Sequence, residues 1–344
     1  MEFFAGANTR GGFVSIFEEC LRDTERIYIL KGSSGCGKST LMRRVAGKAK
    51  KLNLATDLIY CSADVNSLDG VIIPQKSVAI IDGTAPHIMD AKYPCVRESI
   101  INLGQFWNKD KILPHRDKII TLTDKKSMHY KNAYSILSLA GKIADIKKSF
   151  TEKCIDREKS ESAAFKFIEA ISGESNNRHS QIFASAFTAD GFITLPVFTE
   201  VNTLYRINGI CADAFLKAVE QISIEHGKNI TISRSPFDTS ITDAVYFHEA
   251  KVLITSLDIP PCKNASEEKQ ISISRFADKN QLQSSRARVR ALQQLESELL
   301  LDAQKELMLA RETHSAIEDI YVPAMRFSEM DEYTLSLIER IFAE

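Results

Sequence analysis

The sequence predicts an α/β fold built twice, each half a sheet flanked by helices and followed by a helical extension. Three observations predict it. Apolar, β-branched runs such as "RIYIL" (26–30) alternate with stretches of helical periodicity. A glycine-rich turn joins one such strand directly to a helix. The order of these elements then returns about 174 residues later.

In chain order, "FFAGANTRGGF" (3–13) opens the first half and "RIYIL" forms its first buried strand. "KGSSGCGKST" (31–40) follows as a tight turn, and "STLMRRVAGKAKKL" as a helix with Leu41, Met42 and Val45 on one side. "SVAIIDGTAPH" (77–87) supplies a second strand, Val78 to Ile81, whose continuous apolar run fits a parallel sheet covered on both faces. A helical tail over roughly 96–171 includes "NAYSILSLAGKIADIKKSF", expected either as a hairpin packed beside the sheet or as a surface for a partner. The polar stretch "SGESNNRHS" (172–180) reads as a linker, dividing the chain into domains 1–175 and 176–344. The second tail, roughly 281–342, carries Leu292, Leu295, Leu299, Ala303 and Leu307 at helical spacing.

The turn satisfies G-x-x-x-x-G-K-[ST] between a strand and a helix, the setting in which a P-loop cradles phosphates. Gly32, Ser33, Ser34, Gly35, Cys36, Gly37, Lys38, Ser39 and Thr40 are then the nucleotide-binding residues. The glycines let successive N–H groups point inward at phosphate oxygens, and the helix N-terminus adds its positive dipole end. Lys38 would neutralise the β- and γ-phosphates, and the Ser39 hydroxyl would ligate Mg²⁺. Asp82, closing the second strand, would hold a metal-bound water, an aspartate opening the turn at "DG" being its alternative. Five residues on, His87 could orient a γ-phosphate or a water, a polar loop position on solvent being its alternative.

Asp82 follows Lys38 by only 44 residues, too few for the helical subdomain of transporter ATPases, and no L-S-G-G-Q stretch occurs. Gly83 stands where a catalytic glutamate would follow Asp82, and "WNKDK" (107–111) is not the GTPase N-K-x-D. The expected fold is two duplicated P-loop NTPase-like domains with parallel sheets, and ATP with Mg²⁺ is the expected ligand pair.

The second half carries what remains of the same loop. "LYRINGICADAFL" (204–216) matches "IYILKGSSGCGKSTL" (27–41) at both ends, Gly209 under Gly32 and Leu216 under Leu41, with two residues lost between. "IFASAFTADGF" (182–192) echoes the opening, and "FDTSITDAVYFHEAKVLITSLDIP" (237–260) echoes 63–86 at an offset of 174, which "IADI" (143–146) and "IEDI" (317–320) continue. Residues kept in both halves serve the fold, and those in the first alone are candidates for chemistry. Lys38, Ser39, Gly35, Gly37, Asp82 and His87 fall in the second group, Asp82 facing Ser256 and His87 facing Pro261. Asp64 and Asp69 persist as Asp238 and Asp243, which favours turn and capping roles, though their loop could also hold an acceptor.

With 44 basic and 45 acidic residues the chain has no global field drawing it to nucleic acid or an anionic membrane, and neither is expected as a partner. Arg286, Arg288 and Arg290 fan around a helix and read as a solvated face. Seven scattered cysteines without a Cys-x-x-Cys pair fit a reducing compartment, and a cytoplasmic location is expected.

The openings "FAGANTRGGF" and "FASAFTADGF", with "GSSGCGKST", "CSADVNSLDGVIIP" and "IIDGTAPH", resemble a bacterial family of tandem P-loop proteins of about this length. Its members are labelled only ATPase or ATP-binding protein. The resemblance spans both halves and implies a duplicated P-loop fold and nucleotide binding, with no known substrate. Both halves of such proteins commonly carry a lysine-bearing loop, and this sequence departs at 209–216. Three functions are therefore expected: an Mg-ATP-dependent ATPase with one competent site and a pseudo-site, a small-molecule or nucleotide kinase, or a nucleotide-gated switch binding a protein partner through its helical tails.

Overall fold

A computed structural model describes the whole chain except residues 172, 174, 175, 210, 259–264 and 344, so parts of the expected linker and the Pro260 and Pro261 counterparts lie outside the described residues. The first half opens with β1 (Glu2–Phe4), a hairpin of β2 (Gly6–Thr9) and β3 (Gly12–Ser15), and α1 (Phe17–Cys20). Then come β4 (Arg26–Lys31), α2 (Lys38–Lys51), β5 (Asp57–Tyr60), β6 (Leu68–Ile73), β7 (Val78–Asp82) and β8 (Glu98–Asn102). Helices α3 (Lys109–Ile112), α4 (Arg116–Thr151) and α5 (Arg157–Glu169) complete it.

The second half repeats the plan with β9 (His179–Ile182), β10 (Ser185–Thr188), β11 (Gly191–Thr194), β12 (Thr203–Asn208) and α6 (Ala212–Glu225). It continues through β13 (Ile230–Arg234), β14 (Thr242–Phe247), β15 (Val252–Thr255), β16 (Glu267–Ser272), α7 (Lys279–Tyr321) and α8 (Phe327–Ala343).

The strand order is β1-β5-β6-β7-β4-β8 in one sheet and β9-β13-β14-β15-β12-β16 in the other, the same order twice. Neither sheet is the all-parallel one expected. β6 runs antiparallel to β5 and β7, and β14 antiparallel to β13 and β15. The cause is connection length. Only Pro74–Lys76 and a left-handed Ser77 separate β6 from β7, whereas a parallel crossover needs a dozen or more residues. The remaining strands of each sheet are mutually parallel, and Ile29, Leu30, Ile80 and Ile81 on β4 and β7 are fully buried.

The helical tails do not fold beside their own sheets. α4 and α7 lie antiparallel, with His129 paired to Glu306 (2.7 Å) and Lys147 to Glu296. At about 1.5 Å per residue the 36 residues of α4 span roughly 54 Å, enough to carry the chain from one sheet to the other. α5 therefore packs Ala164 and Ile168 against Phe215, Leu216 and Val219 of α6 in the second half. α8 returns to pack Met330, Leu337, Ile338 and Ile341 among Leu41, Met42 and Val45 of α2 in the first. Each half is completed by the other's last helix.

This exchange obeys an approximate two-fold axis. Phe4 and Phe183 exchange backbone hydrogen bonds of 2.9 and 3.1 Å where the halves meet. At one crossing Asn108 N–H donates to Ala324 O and Arg326 N–H to Phe106 O; at the other Asp278 N–H donates to Cys154 O and Asp156 N–H to Phe276 O. These counterparts are offset by 170 residues, so the tails align at 170 and not at 174. The four-residue slip is close to one helical turn, which is why "IADI" and "IEDI" coincide in pattern without being equivalent. A shared core in which Phe3, Ile29 and Ile81 meet Ile182, Phe198, Leu204 and Tyr246 joins the halves.

Candidate functional site

β4 ends beside β7, with Leu30 paired to Asp82, so the loop 32–37 leaves the sheet next to that carboxylate. The chain enters α2 through Gly35 (φ 71°) and Gly37 (φ 82°), both in the left-handed region that glycine adopts without strain. A second constraint acts on the same two residues. A β-carbon on Gly35 would come within 2.6 Å of Val322 Cγ2, and one on Gly37 within 2.6 Å of Met330 Cε. The turn from α7 into α8 therefore rests directly on the loop.

Lys38, the first residue of α2, curls back over the loop. Its Nζ donates to the carbonyls of Gly32 (2.8 Å) and Ser33 (3.1 Å) and lies 3.5 Å from Asp82 Oδ2. The other Asp82 oxygen accepts from Thr84 N–H (2.8 Å) and Thr84 Oγ1 (2.5 Å), which fixes the carboxylate's plane. Ser39 Oγ accepts from Leu68 N–H at 3.0 Å, tying the start of α2 to β6. Cys36 is buried beneath the loop, its Sγ 2.5 Å from where a Gly32 β-carbon would stand, and burial pushes its thiol pKa up. Ser33 and Thr40 are exposed, Ser34 half-buried.

Three side chains from the helix pair complete this face. His314 Nδ1 lies 3.3 Å from Ser34 Oγ and 3.4 Å from Lys126 Nζ, and its Nε2 lies 3.6 Å from Glu318 Oε1. The Glu318 carboxyl is held below its ordinary pKa, chiefly by His314 and to a lesser degree by the Gly35 N–H. Burial pulls the Lys126 ammonium below its ordinary pKa; Glu318 opposes this and Lys38 adds to it. None of the three stands in a recognisable motif. Only the 170-residue offset, invisible until the tails are aligned on the structure, marks them, because their counterparts Glu296, Ala144 and Lys148 differ in charge.

The loop of the second half is built differently. Strand β12 aligns with β4 at an offset of 177 (Arg26 to Thr203), and α6 with α2 at 174 (Lys38 to Ala212). The loop is thus three residues shorter, not two, and Met42 rather than Leu41 is the counterpart of Leu216. Cys211, left-handed at φ 64°, takes the place of Gly37, and Asp213 that of Ser39. Asp213 Oδ2 pairs with Lys148 Nζ at 2.8 Å. Ser256, in the place of Asp82, bonds through N–H (2.9 Å) and Oγ (3.3 Å) to the carbonyl of Asp243.

His87 and Asp69 are not loop residues on solvent or a turn. His87 is buried, its Nε2 2.9 Å from Asp69 Oδ2 on β6, with its ring edge-on to Phe13 (4.8 Å) and Phe17 (5.2 Å). Gly6 leaves the space it fills. That pair braces the interior between β6 and the opening hairpin. Asp64 does hold a turn, accepting from Asn66 N–H and Ser67 Oγ, as Asp238 does from Ser240. Arg286, Arg288 and Arg290 are all exposed, as a solvated face requires, and Arg288 lies over the Phe150 ring at 5.1 Å.

Among the described residues no group of three or more His, Cys, Asp or Glu could form a metal centre of its own, and no helix is long and apolar enough to cross a membrane. Against protein-family models, curated proteins and solved structures, the chain has no match.

Proposed function

We propose that the first half binds one nucleoside triphosphate, ATP with Mg²⁺, on the loop 32–37 in the manner of a P-loop NTPase and hydrolyses its terminal phosphoanhydride. The observation that carries this reading is one-sidedness. Left-handed glycines, a lysine at the helix start and a carboxylate 3.5 Å from it occur together in one half only. The equivalent place in the other half is filled by the Asp213–Lys148 ion pair. Lys38 now satisfies itself on the carbonyls of Gly32 and Ser33, contacts that a phosphate would replace.

The donor set fits a hard divalent cation. Ser39 Oγ uses one lone pair on Leu68 N–H and keeps another, and Asp82 Oδ2 faces the loop, so Mg²⁺ would take Ser39 and, through water, Asp82. Bound there, the metal would neutralise phosphate charge; the chain's own residues orient the phosphates and exclude water around them. His87, braced on Asp69, is left out of that set. The switch reading has an observation of its own in the contact of Val322 and Met330 with the loop glycines, which ties the phosphate site to the helix exchange. The expected partner, if the protein acts as a switch, would read that helix pair.

Calorimetry with Mg-ATP tests the reading. Wild type should bind, and Lys38→Ala should bind at least about tenfold more weakly while keeping its melting temperature. Equal affinity of the two would overturn it.

A further inference from the structure

We propose that Lys126 of α4 is a second cation for the terminal phosphate, presented to the loop by His314 of α7. This rests on the nucleotide reading above and extends the site beyond the loop. The phosphate site is then composite: the loop comes from the first half, and its lid is the crossing helix pair, one helix from each half.

Geometry carries the argument. Lys126 Nζ is 3.4 Å from His314 Nδ1, and the same nitrogen is 3.3 Å from Ser34 Oγ in the loop. A side chain that reaches the imidazole touching the loop is within one further contact of whatever the loop binds. Among the described residues no carboxylate lies within ion-pairing distance of Lys126, although it sits in the α4 seam between Leu122 and His129. A half-buried ammonium that no carboxylate meets directly is costly, and an anion on the loop would reduce that cost. Burial and the neighbouring Lys38 push its pKa down and Glu318 pushes it up, so an anion bound on the loop would favour the charged form further.

The duplication supplies a control. Applying the offset of 170, Lys126 corresponds to Glu296, His314 to Ala144 and Glu318 to Lys148. Glu296 is paired with Lys147, and Lys148 with Asp213. The half with the shortened loop has lost the histidine, inverted both charges and paired both with other residues. Among the described residues, the half with the intact loop has kept its lysine out of ion-pairing contact with any carboxylate. Seam positions serving only helix packing would have no reason to differ in this direction.

The chemistry is charge neutralisation. In hydrolysis the bond between the γ-phosphorus and the β,γ-bridging oxygen breaks, and a water oxygen bonds to that phosphorus. The bridging oxygen leaves with the electron pair as part of ADP, and the water's proton is released to solvent with the phosphate. Charge builds on the bridging and equatorial oxygens as this proceeds, and a preorganised ammonium beside them lowers the barrier. Glu318 and a phosphate oxygen compete for the Gly35 N–H, so Glu318 must turn aside as nucleotide enters.

The test measures affinity for Mg-ATP and Mg-ADP, and phosphate release, on the full chain. Lys126→Ala should lose about tenfold in ATP affinity relative to ADP, with phosphate release falling by at least as much, and Lys126→Arg should recover part of both. Glu296→Ala, the counterpart change in the same seam, should leave the ATP-to-ADP ratio at the wild-type value, and matched melting curves separate lost packing from lost charge. If Lys38→Ala abolishes binding while Lys126→Ala and Lys126→Gln keep the wild-type ratio and turnover, the lysine proposal fails and the nucleotide site stands. If wild type binds no nucleotide, both fall together.

Discussion

Glu318 and Lys148 stand at the same place on α7 and α4, and they face the two loops with opposite charge. Glu318 lies by the Gly35 N–H of a loop that also carries Lys38, whereas Lys148 neutralises Asp213 at 2.8 Å. A phosphate approaching the first loop replaces one carboxylate with another anion. At the second it would have to break an ion pair and then meet Asp213 itself. The two loops are equivalent in topology and opposite in the charge that the facing helix presents to them.

One nucleotide per chain is therefore expected in a calorimetric titration with Mg-ATP. Asp213→Ala should not raise that number, because the loop is three residues short and Cys211 replaces the glycine at the helix entry. A stoichiometry of two, in either protein, would refute the account of the second half.

Asp82→Asn should shift the Mg²⁺ requirement of turnover to higher concentration by roughly an order of magnitude, since a neutral amide holds a metal-bound water less well. Nucleotide affinity measured without metal should change far less, because Lys38 keeps its place on α2. If Asp69→Asn produced the same shift in metal dependence, the assignment of Asp82 would be wrong, as Asp69 is committed to His87.

Much of this site could be read from the residues alone. The strand, loop and helix around Lys38 announce themselves locally: β-branched residues, then glycines, then an apolar stripe. Asp82 was legible because it ends a run of four apolar residues. Other features depend on which surface meets which. The stripe Met330, Leu337, Ile341 says that α8 is buried on one face, but apolar periodicity carries no address, and its partner proved to be the other half's α2. The antiparallel β6 was in principle readable from its short link to β7, since a continuous apolar run is silent about direction. Lys126, His314 and Glu318 were beyond reach, lying on two helices that meet only through the exchange.

Stability should fall as pH rises from about 4 to 7 through one group, Asp243. Burial pushes its pKa up from the ordinary 3.8 to about 7, with Asp213 adding to it. The folded state then holds a proton that the unfolded state has released. Its contribution is full below pH 4 and is lost progressively, by up to roughly 1.4 kcal/mol per pH unit, until the folded pKa is passed. Asp243→Asn should remove that decline, so its melting temperature should exceed wild type at pH 8 and approach it at pH 4. Chemical denaturation at both pH values checks this, and parallel pH profiles would contradict it.

The exchange of helices makes a prediction that a chain of two self-contained domains would not. Ile341 is fully buried among Leu41, Met42 and Val45, about 300 residues earlier in sequence. Truncating it removes contacts from the core behind the loop, and Ile341→Ala should cost roughly 2–5 kcal/mol. The site of that loss is the informative part. Hydrogen exchange should quicken in α2 and β4 of the first half, while α6 and β12, which pack against α5, keep their protection. Ile168→Ala on α5 should do the reverse, loosening α6 from within the first half's own sequence. It follows that residues 1–175 expressed alone should be poorly soluble, because α2 would lose its cover and α5 would display an apolar face without a partner. Expressed together with 176–344 they should reassemble, each helix finding the opposite sheet. Were Ile341→Ala to deprotect α6 and spare α2, or were the isolated first half stable, the tails would belong to their own halves and the composite site would lose its lid.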